Sequence, residues 1–129
     1  MKIAIITDQH LDGRKGSLAF WNYFQKFYDE VFFPTLEKEG ISVVFDLGDT
    51  FDNRKSMDFN TFNRITENYF KRLEDYKVHM ILGNHCTYYK NTNRINSPEL
   101  LLEQYKNINI YASPEEITLG SKKFLMMPW

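Results

Sequence analysis

The stretch SVVFDLGD at residues 42–49 is a short apolar run that ends abruptly in a glycine and a carboxylate. A continuous apolar run of this length is typical of a strand that is buried on both faces in a parallel sheet. Open α/β sheets place their chemistry in the crevice beyond the carboxyl ends of such strands. We therefore predict that residues 42–49 form a central strand that delivers Asp49 to a functional site.

Two further stretches have the same form. Residues 2–7 are apolar and lead into DQH at residues 8–10, and residues 78–82 are apolar and lead into GNH at residues 83–85. If the three strands lie in one parallel sheet, their polar ends meet at the same edge. The side chains that would meet there are Asp8, His10, Asp49, Asn84 and His85.

These side chains suit a metal site. Carboxylate, imidazole and amide oxygen are borderline-to-hard donors that suit manganese, iron or zinc, and a carboxylate can bridge two ions. Asp8 and His10 are two residues apart, so in an extended segment they would point the same way and reach one ion. The sequence therefore predicts a two-metal site in which Asp49 is shared.

The three motifs, in this order, resemble the D-x-H, G-D-x-x-[DN] and G-N-H-[DE] signatures of the calcineurin-like metallophosphoesterases. Within that family the chain is most similar to the SbcD-type nuclease subunit of double-strand-break repair complexes and to recombination nucleases of T-even-like phages. The supporting segments are GDTFDNRK at 48–55, YYKN at 88–91, PELL at 98–101 and PW at 128–129. The resemblance spans nearly the whole chain and implies the N-terminal half of a four-layer α/β/β/α sandwich with a mainly parallel sheet.

The resemblance also implies a role for each motif residue. His85 would be the catalytic residue, stabilising charge on the phosphate or protonating the leaving oxygen. Two divalent ions are implied, most often manganese, with zinc, iron or magnesium as alternatives. Their ligands would be Asp8, His10, Asp49 and Asn84.

Four neighbouring residues have weaker assignments. Asp52 would line the site without binding metal, and Arg54 and Lys55 would contact substrate phosphates unless they are a solvated loop pair. Cys86 departs from the family pattern, which has Asp or Glu where the side chain supports the adjacent histidine. A neutral thiol gives poor support, so we expect lower activity, with Cys86 a small buried residue more readily than a thiolate ligand.

Helical periodicity predicts two long helices that each pack one face on the sheet. One would begin at a Ser17 cap, with Pro34 kinking it or starting a new turn and Gly40 ending it. Its apolar face contains Phe20, Trp21, Phe24, Phe27, Tyr28 and Val31. The second would span about 58–75, with a face of Phe59, Phe62, Ile65, Tyr69 and Leu73.

The remaining pattern predicts a short helix capped by Ser97 and running to about Tyr105, then strands near 108–111, 116–119 and 123–127. Asp12 is interpreted as a turn residue and His79 as a packed or hydrogen-bonded core histidine. The helices would cover one face of the sheet. We expect the other face to be exposed unless a partner covers it.

Composition bounds the class of protein. The chain has 129 residues, one domain's worth, with 43% apolar and 26% charged residues and one cysteine, which excludes an internal disulfide. No apolar run approaches the ~20 residues that span a bilayer, and no signal peptide pattern is present. We therefore expect a cytoplasmic protein, in the host cytoplasm if it is phage-encoded. The net charge of −1 does not by itself indicate a nucleic-acid partner.

The favoured function is a metal-dependent phosphodiesterase, by resemblance a DNA nuclease subunit. The implied partners are DNA, an ABC-type ATPase subunit of the SbcC kind and a second copy of the complete protein, with no membrane. Family members draw further histidines from beyond the Pro-Trp strand, so residues 1–129 are expected to be an N-terminal portion of the domain. Two alternatives stay open: a small-substrate phosphatase, and a catalytically silent domain that binds a partner or DNA without cutting.

Overall fold

The computed structural model, which describes residues 1–129, contains two sheets. Four parallel strands are hydrogen-bonded in chain order: β1 (Ile3–Ile6), β2 (Val43–Asp46), β3 (Lys77–Ile81) and β4 (Ile108–Tyr111). An antiparallel hairpin follows, made of β5 (Glu115–Leu119) and β6 (Lys122–Met126). The predicted parallel α/β arrangement is confirmed, and the strands lie within one or two residues of their expected positions, except that β2 ends at Asp46, three residues before Asp49.

Alternation along the strands gives the four-stranded sheet two apolar faces. Val44 of β2 and Val78 of β3 pack with the helices in the main core cluster of 17 buried residues. Phe45 of β2 and Tyr111 of β4 point to the opposite face. A strand buried on both faces must be apolar at almost every position, which explains the continuous run that begins at Val43.

Apart from a single turn at Gly13–Gly16, the helices lie in three stretches. The first runs through Leu18–Phe27, a π-helical turn at Tyr28–Phe32, and Phe33–Glu39. The second comprises Phe59–Ile65, a π-helical turn at Thr66–Phe70 and a 3-10 turn at Lys71–Leu73, and the third is Ser97–Leu101. Pro34 starts the new segment after the first π-helical turn, where its missing N–H is tolerated. Gly40, at φ 62°, ends that segment as predicted.

The predicted apolar faces of both long helices are partly wrong. Trp21 and Tyr28 are buried, but Phe27 is 43% and Val31 50% exposed. The π-helical turn departs from the 3.6-residue period, so the buried face passes to Phe32 and Phe33 instead.

The predicted face of the second long helix also differs from the buried one. Phe59, in its first turn, is exposed, whereas Phe70 at the end of the π-helical turn is fully buried. At the third helix the cap is Asn96 in place of Ser97, because the Asn96 side chain accepts the Glu99 N–H at 2.9 Å. Ser17 stands at the first helix's N-cap position but makes no side-chain capping bond.

The second face of the sheet is not left open. The hairpin β5–β6 packs on it, and Phe45, Tyr111 and Met126 form a small buried cluster there with Phe124 against them. The expectation of a wholly uncovered face is therefore wrong, although Ile5 on the edge strand β1 remains 65% exposed. No helix in the fold has the length and apolar character that crossing a membrane requires.

Candidate metal centre

The pairing of β1 with β2 continues beyond the ends of both strands. The Asp8 N–H donates to the Gly48 carbonyl at 3.0 Å, and the His10 N–H donates to the Asp49 carbonyl at 2.9 Å. Two backbone bonds thus hold the segment after β1 against the segment after β2. This brings the first two motifs of the sequence together.

Two glycines let the β3 end join them. Gly48 has φ 103°, and a Cβ there would lie 2.7 Å from the Gly83 nitrogen. A Cβ on Gly83 would lie 2.1 Å from Oδ1 of Asp49. Any side chain at either position would push the ends of β2 and β3 apart, so the glycines are required by close packing. In the space they leave, Asp49 Oδ1 accepts the His85 N–H at 2.8 Å.

The backbone at the site adopts an uncommon conformation. Asp8, His10 and Asp49 have φ of 53°, 45° and 52°, in the left-handed region that costs a non-glycine residue about 1–3 kcal/mol. The expectation that Asp8 and His10 lie in an extended segment is wrong. Their side chains meet through this left-handed geometry instead, with His10 Nε2 4.0 Å from an Asp8 oxygen.

Asp8, His10 and Asp49 form what we call the ligand cluster. Their ligand atoms all lie within 4.8 Å of one another. Two carboxylates and one imidazole in this spacing fit a divalent first-row ion. Asp49 is buried, whereas the Asp8 side chain is 66% exposed, so the cluster is open on one side to water or substrate.

His10, Asp52 and His85 form a second group, the support cluster, whose ligand atoms also lie within 4.8 Å of one another. His85 Nδ1 lies 2.9 Å from the Asp52 backbone carbonyl. A carbonyl can only accept, so this nitrogen carries the proton, and Nε2 of His85 is left without a protein partner. The two histidine rings meet edge to face with centroids 5.1 Å apart.

The Asp52 carboxylate faces the other histidine. One of its oxygens lies 3.0 Å from His10 Nδ1 and 3.9 Å from His85 Nδ1. The oxygen is off the direction of the His10 N–H, so this contact is electrostatic and not a well-formed hydrogen bond. A carboxylate beside Nδ1 favours a proton there and leaves Nε2 of His10 for a metal.

The hydrogen bond that orients His85 comes from Asp52 and not from residue 86. His85 is already held by the Asp52 carbonyl, and Cys86 is fully buried. Burial raises the pKa of the Cys86 thiol, which keeps it neutral and unsuited to binding metal as a thiolate.

Three other residues were predicted to belong to the site: Asn84 as a ligand, and Arg54 and Lys55 as substrate contacts. Asn84 is half-buried at the end of β3, and its side-chain amide makes no hydrogen bond within the protein. Arg54 donates to the Thr87 carbonyl at 3.3 Å and so ties two loops together. Lys55 is exposed, with its ammonium nitrogen 5.4 Å from the centre of the Tyr88 ring.

The sequence interpretation missed a buried polar network beneath the ligand cluster. Asp46 accepts hydrogen bonds from Gln9 Nε2 at 2.9 Å, Thr50 Oγ1 at 2.8 Å and the Gly48 N–H at 3.0 Å. Tyr28 donates to Gln9 Oε1 at 2.7 Å. Burial raises the pKa of Asp46 to about 7, although the three donors oppose the shift. The available signal was a carboxylate inside an otherwise apolar strand.

Asp12 lies in a turn, as predicted, but its contacts to a distant segment were missed. It is buried, at 4% exposure, and its two oxygens accept the N–H groups of Asp52 at 2.5 Å and Asn53 at 3.1 Å. Burial raises the pKa of Asp12, and those two donors offset part of the rise. Nothing in the local sequence distinguishes this residue from a turn aspartate, because its partners lie 40 and 41 residues further along the chain.

Comparison with known proteins gives two matches. Residues 1–128 match the family described as calcineurin-like phosphoesterase. Exonuclease subunit 1 of Enterobacteria phage T4 is 32% identical over 95 residues, which is 72% of this chain and 28% of that protein. The chain therefore spans less than a third of the length of this relative.

Proposed function

The chain belongs to the calcineurin-like phosphoesterase family, and from that premise we propose that it hydrolyses phosphodiester bonds with divalent metal ions, manganese first among them. The observation that carries the proposal is the convergence of Asp8, His10 and Asp49 within 4.8 Å beside a histidine with an unpartnered Nε2. Ligands and a proton-transfer group thus stand at one edge of the sheet.

Each residue has a part in this proposal. Asp8, His10 and Asp49 would hold one ion, and Asp49 with Asn84 would hold a second. When bound, such ions supply Lewis-acid stabilisation of the phosphate and activation of water.

His85 supplies what the ions do not. With Nδ1 donating to the Asp52 carbonyl, the imidazolium form would carry a second proton on Nε2, which it would give to the leaving oxygen or use to stabilise charge on the phosphate. Because the Asp52 carbonyl fixes the His85 ring, the proton on Nε2 would be donated from one defined position. A fixed donor contributes more to the rate than a freely rotating one.

We propose that the substrate is DNA and that the protein acts as part of a multi-subunit complex. The support is the 32% identity to a protein named as an exonuclease subunit, together with the exposure of the site, where the His85 and Asp52 side chains are each 40% exposed. Lys55 and the neighbouring Tyr88 could contact a phosphate and a base at its rim. An ATPase subunit of the SbcC kind and a second copy of the chain are proposed partners on resemblance alone.

The test is hydrolysis by the purified protein with manganese. Labelled single- and double-stranded DNA, bis-p-nitrophenyl phosphate and p-nitrophenyl phosphate are compared, with His85→Ala as the inactive variant. The matched control is His79→Asn. His79 lies within β3 on the sheet face that the hairpin covers, away from the candidate site, and Asn retains an acceptor for the Tyr111 hydroxyl.

We expect cleavage of both diesters, loss in His85→Ala and retention in His79→Asn. Preference for the monoester would favour a small-substrate phosphatase instead. DNA binding with no hydrolysis of any substrate would contradict the proposal and favour a silent binding domain.

A further inference from the structure

Asp12 is a buried carboxylate that the mechanism above does not use. We propose that it is a positioning residue for the reaction: it fixes the Asp52 backbone, and Asp52 in turn fixes the protonated nitrogens of His10 and His85. This inference rests on the proposed function for its catalytic meaning. Its structural part stands on contacts alone.

The contacts form a continuous chain. The Asp12 carboxylate accepts the N–H groups of both Asp52 and Asn53, so it holds this peptide segment at two points. The same Asp52 then offers its carbonyl to His85 Nδ1 at 2.9 Å and its carboxylate to His10 Nδ1 at 3.0 Å. Asp12 thus positions both the Asp52 carbonyl that accepts from His85 and the Asp52 carboxylate that lies beside His10.

An aspartate whose only role is to form a turn would have different exposure and different partners. Asp and Asn in turns are exposed as a rule and bond to backbone groups two or three residues away. Asp12 is 4% exposed, and both partners lie on a distant segment. Burying a carboxylate costs free energy unless its oxygens accept hydrogen bonds. The two N–H donors therefore allow Asp12 to be buried.

Asp58 provides the contrast within the same part of the fold. It lines the same polar cavity of about 380 Å³ as Asp12 and Asp52. It accepts from the Thr61 N–H at 2.8 Å and the Thr61 hydroxyl at 2.6 Å, which is an ordinary helix cap. Asp58 makes no hydrogen bond to Asp52 or to either histidine, so its removal disturbs the cavity wall and leaves the support cluster intact.

The consequence is a defined tautomer for two of the three histidines. A proton on Nδ1 leaves Nε2 of His10 for metal and Nε2 of His85 for the substrate. If the Asp52 segment moves, His85 loses its acceptor and His10 loses the neighbouring carboxylate, and both imidazoles revert towards the Nε2–H form that predominates in a free side chain. Removing such an outer partner of a metal-binding histidine typically lowers metal affinity by roughly 10–100-fold.

The experiment reads the tautomers directly. Nitrogen-15 NMR of the ring nitrogens is recorded on metal-free protein in alkaline buffer, where the imidazoles are neutral. Wild type is expected to show Nδ1–H for His10 and His85. Asp12→Ala should shift both towards Nε2–H, while His79, on the other face of the sheet, serves as an unchanged internal reference.

Two further variants secure the result. Asp12→Asn keeps the shape of the side chain but places an N–H donor against a backbone donor, so it perturbs the segment even if Asp12→Ala fails to fold. Asp58→Ala is the matched control and should leave all three tautomers as in wild type. Manganese titration should show affinity lowered roughly 10–100-fold in the Asp12 variants and unchanged in Asp58→Ala.

Folded Asp12 variants with wild-type tautomers and metal affinity would overturn the inference. So would an equal shift in Asp58→Ala, which would show a general structural effect. Neither readout needs turnover. A wild-type protein that cleaves no phosphodiester would therefore defeat the proposed function while leaving the Asp12 result to be judged by itself.

Discussion

The ligand cluster and the support cluster share His10 but are built in different ways. Asp8, His10 and Asp49 follow directly from strand ends and are held by backbone bonds between β1 and β2 segments. Asp52, the centre of the support cluster, lies in a loop that is held by side chains from elsewhere. The candidate metal ligands are thus placed by the sheet itself, whereas the groups that would orient them depend on contacts distant in sequence.

Each cluster also rests on its own buried carboxylate. Asp46 lies beneath the ligand cluster and accepts three hydrogen bonds, and Asp12 lies beneath the support cluster and accepts two. If the comparison is correct, changes in the ligand cluster should abolish metal binding. Changes in the support cluster should weaken metal binding only partly, through the orientation of His10, and should act mainly on hydrolysis.

The largest effect is expected from Asp49→Ala. Asp49 is the residue proposed to serve both ions, so its loss should reduce manganese binding far more than loss of Asn84. Isothermal titration of Asp49→Ala and Asn84→Ala with manganese measures the difference, with exposed Glu103→Ala as the control carboxylate variant. Equal titration curves for the two variants would refute the shared role of Asp49.

His85→Ala should separate the two clusters. His85 lies outside the proposed ligand set, so manganese affinity should stay within a few-fold of wild type. Diester hydrolysis should fall by roughly 10²–10⁴-fold, the usual contribution of a general acid or base. Loss of metal binding in this variant would mean that His85 is itself a ligand and that the two clusters act as one.

The sequence predicted the ligand cluster better than its surroundings, for physical reasons. Apolar runs that end in polar motifs identify strand ends, and parallel strands must bring those ends to one edge. The left-handed backbone of Asp8, His10 and Asp49 could not be anticipated, because it arises from pairing between segments 40 residues apart and not from local preference.

The support cluster and parts of the packing were missed for a related reason. Asp12 has the local context of a turn, and only the folded chain brings it to Asp52. The π-helical turns likewise break the 3.6-residue period on which the predicted apolar faces of the helices depended, and so the exposure of Val31 and the burial of Phe70 were not predicted. The hairpin's docking on the second sheet face depended on tertiary packing that the strand pattern does not encode.

Asp46→Asn should change how stability depends on pH. The pKa of Asp46 is about 7 in the folded protein against 3.8 without burial, so the folded state binds the proton more tightly. The stability this proton contributes is fully present below about pH 4 and is lost as pH rises through about 7. The free energy of unfolding of wild type minus that of the variant should therefore fall over this range, by a few kcal/mol at most.

Urea unfolding of metal-free protein at several pH values measures this difference. Glu103→Gln, which neutralises an exposed carboxylate, should give a difference that varies little with pH. A pH-independent difference for Asp46→Asn would show that the pKa of Asp46 is the same in the folded and unfolded protein, so that its three donors balance its burial.

Cys86→Ala should have the smallest effect, and it tests whether the support cluster ends at Asp52. The thiol is buried, and His85 Nδ1 already has the Asp52 carbonyl as its acceptor. Removing one sulfur atom from the interior should lower the free energy of unfolding by about 1 kcal/mol through lost packing. Metal affinity and diester hydrolysis should stay within about twofold of wild type, since that change of packing does not reach the hydrogen bond that holds the ring. A tenfold or larger fall in hydrolysis, with unchanged stability and metal affinity, would place Cys86 in the support cluster and restore the role that family members give to a carboxylate at this position.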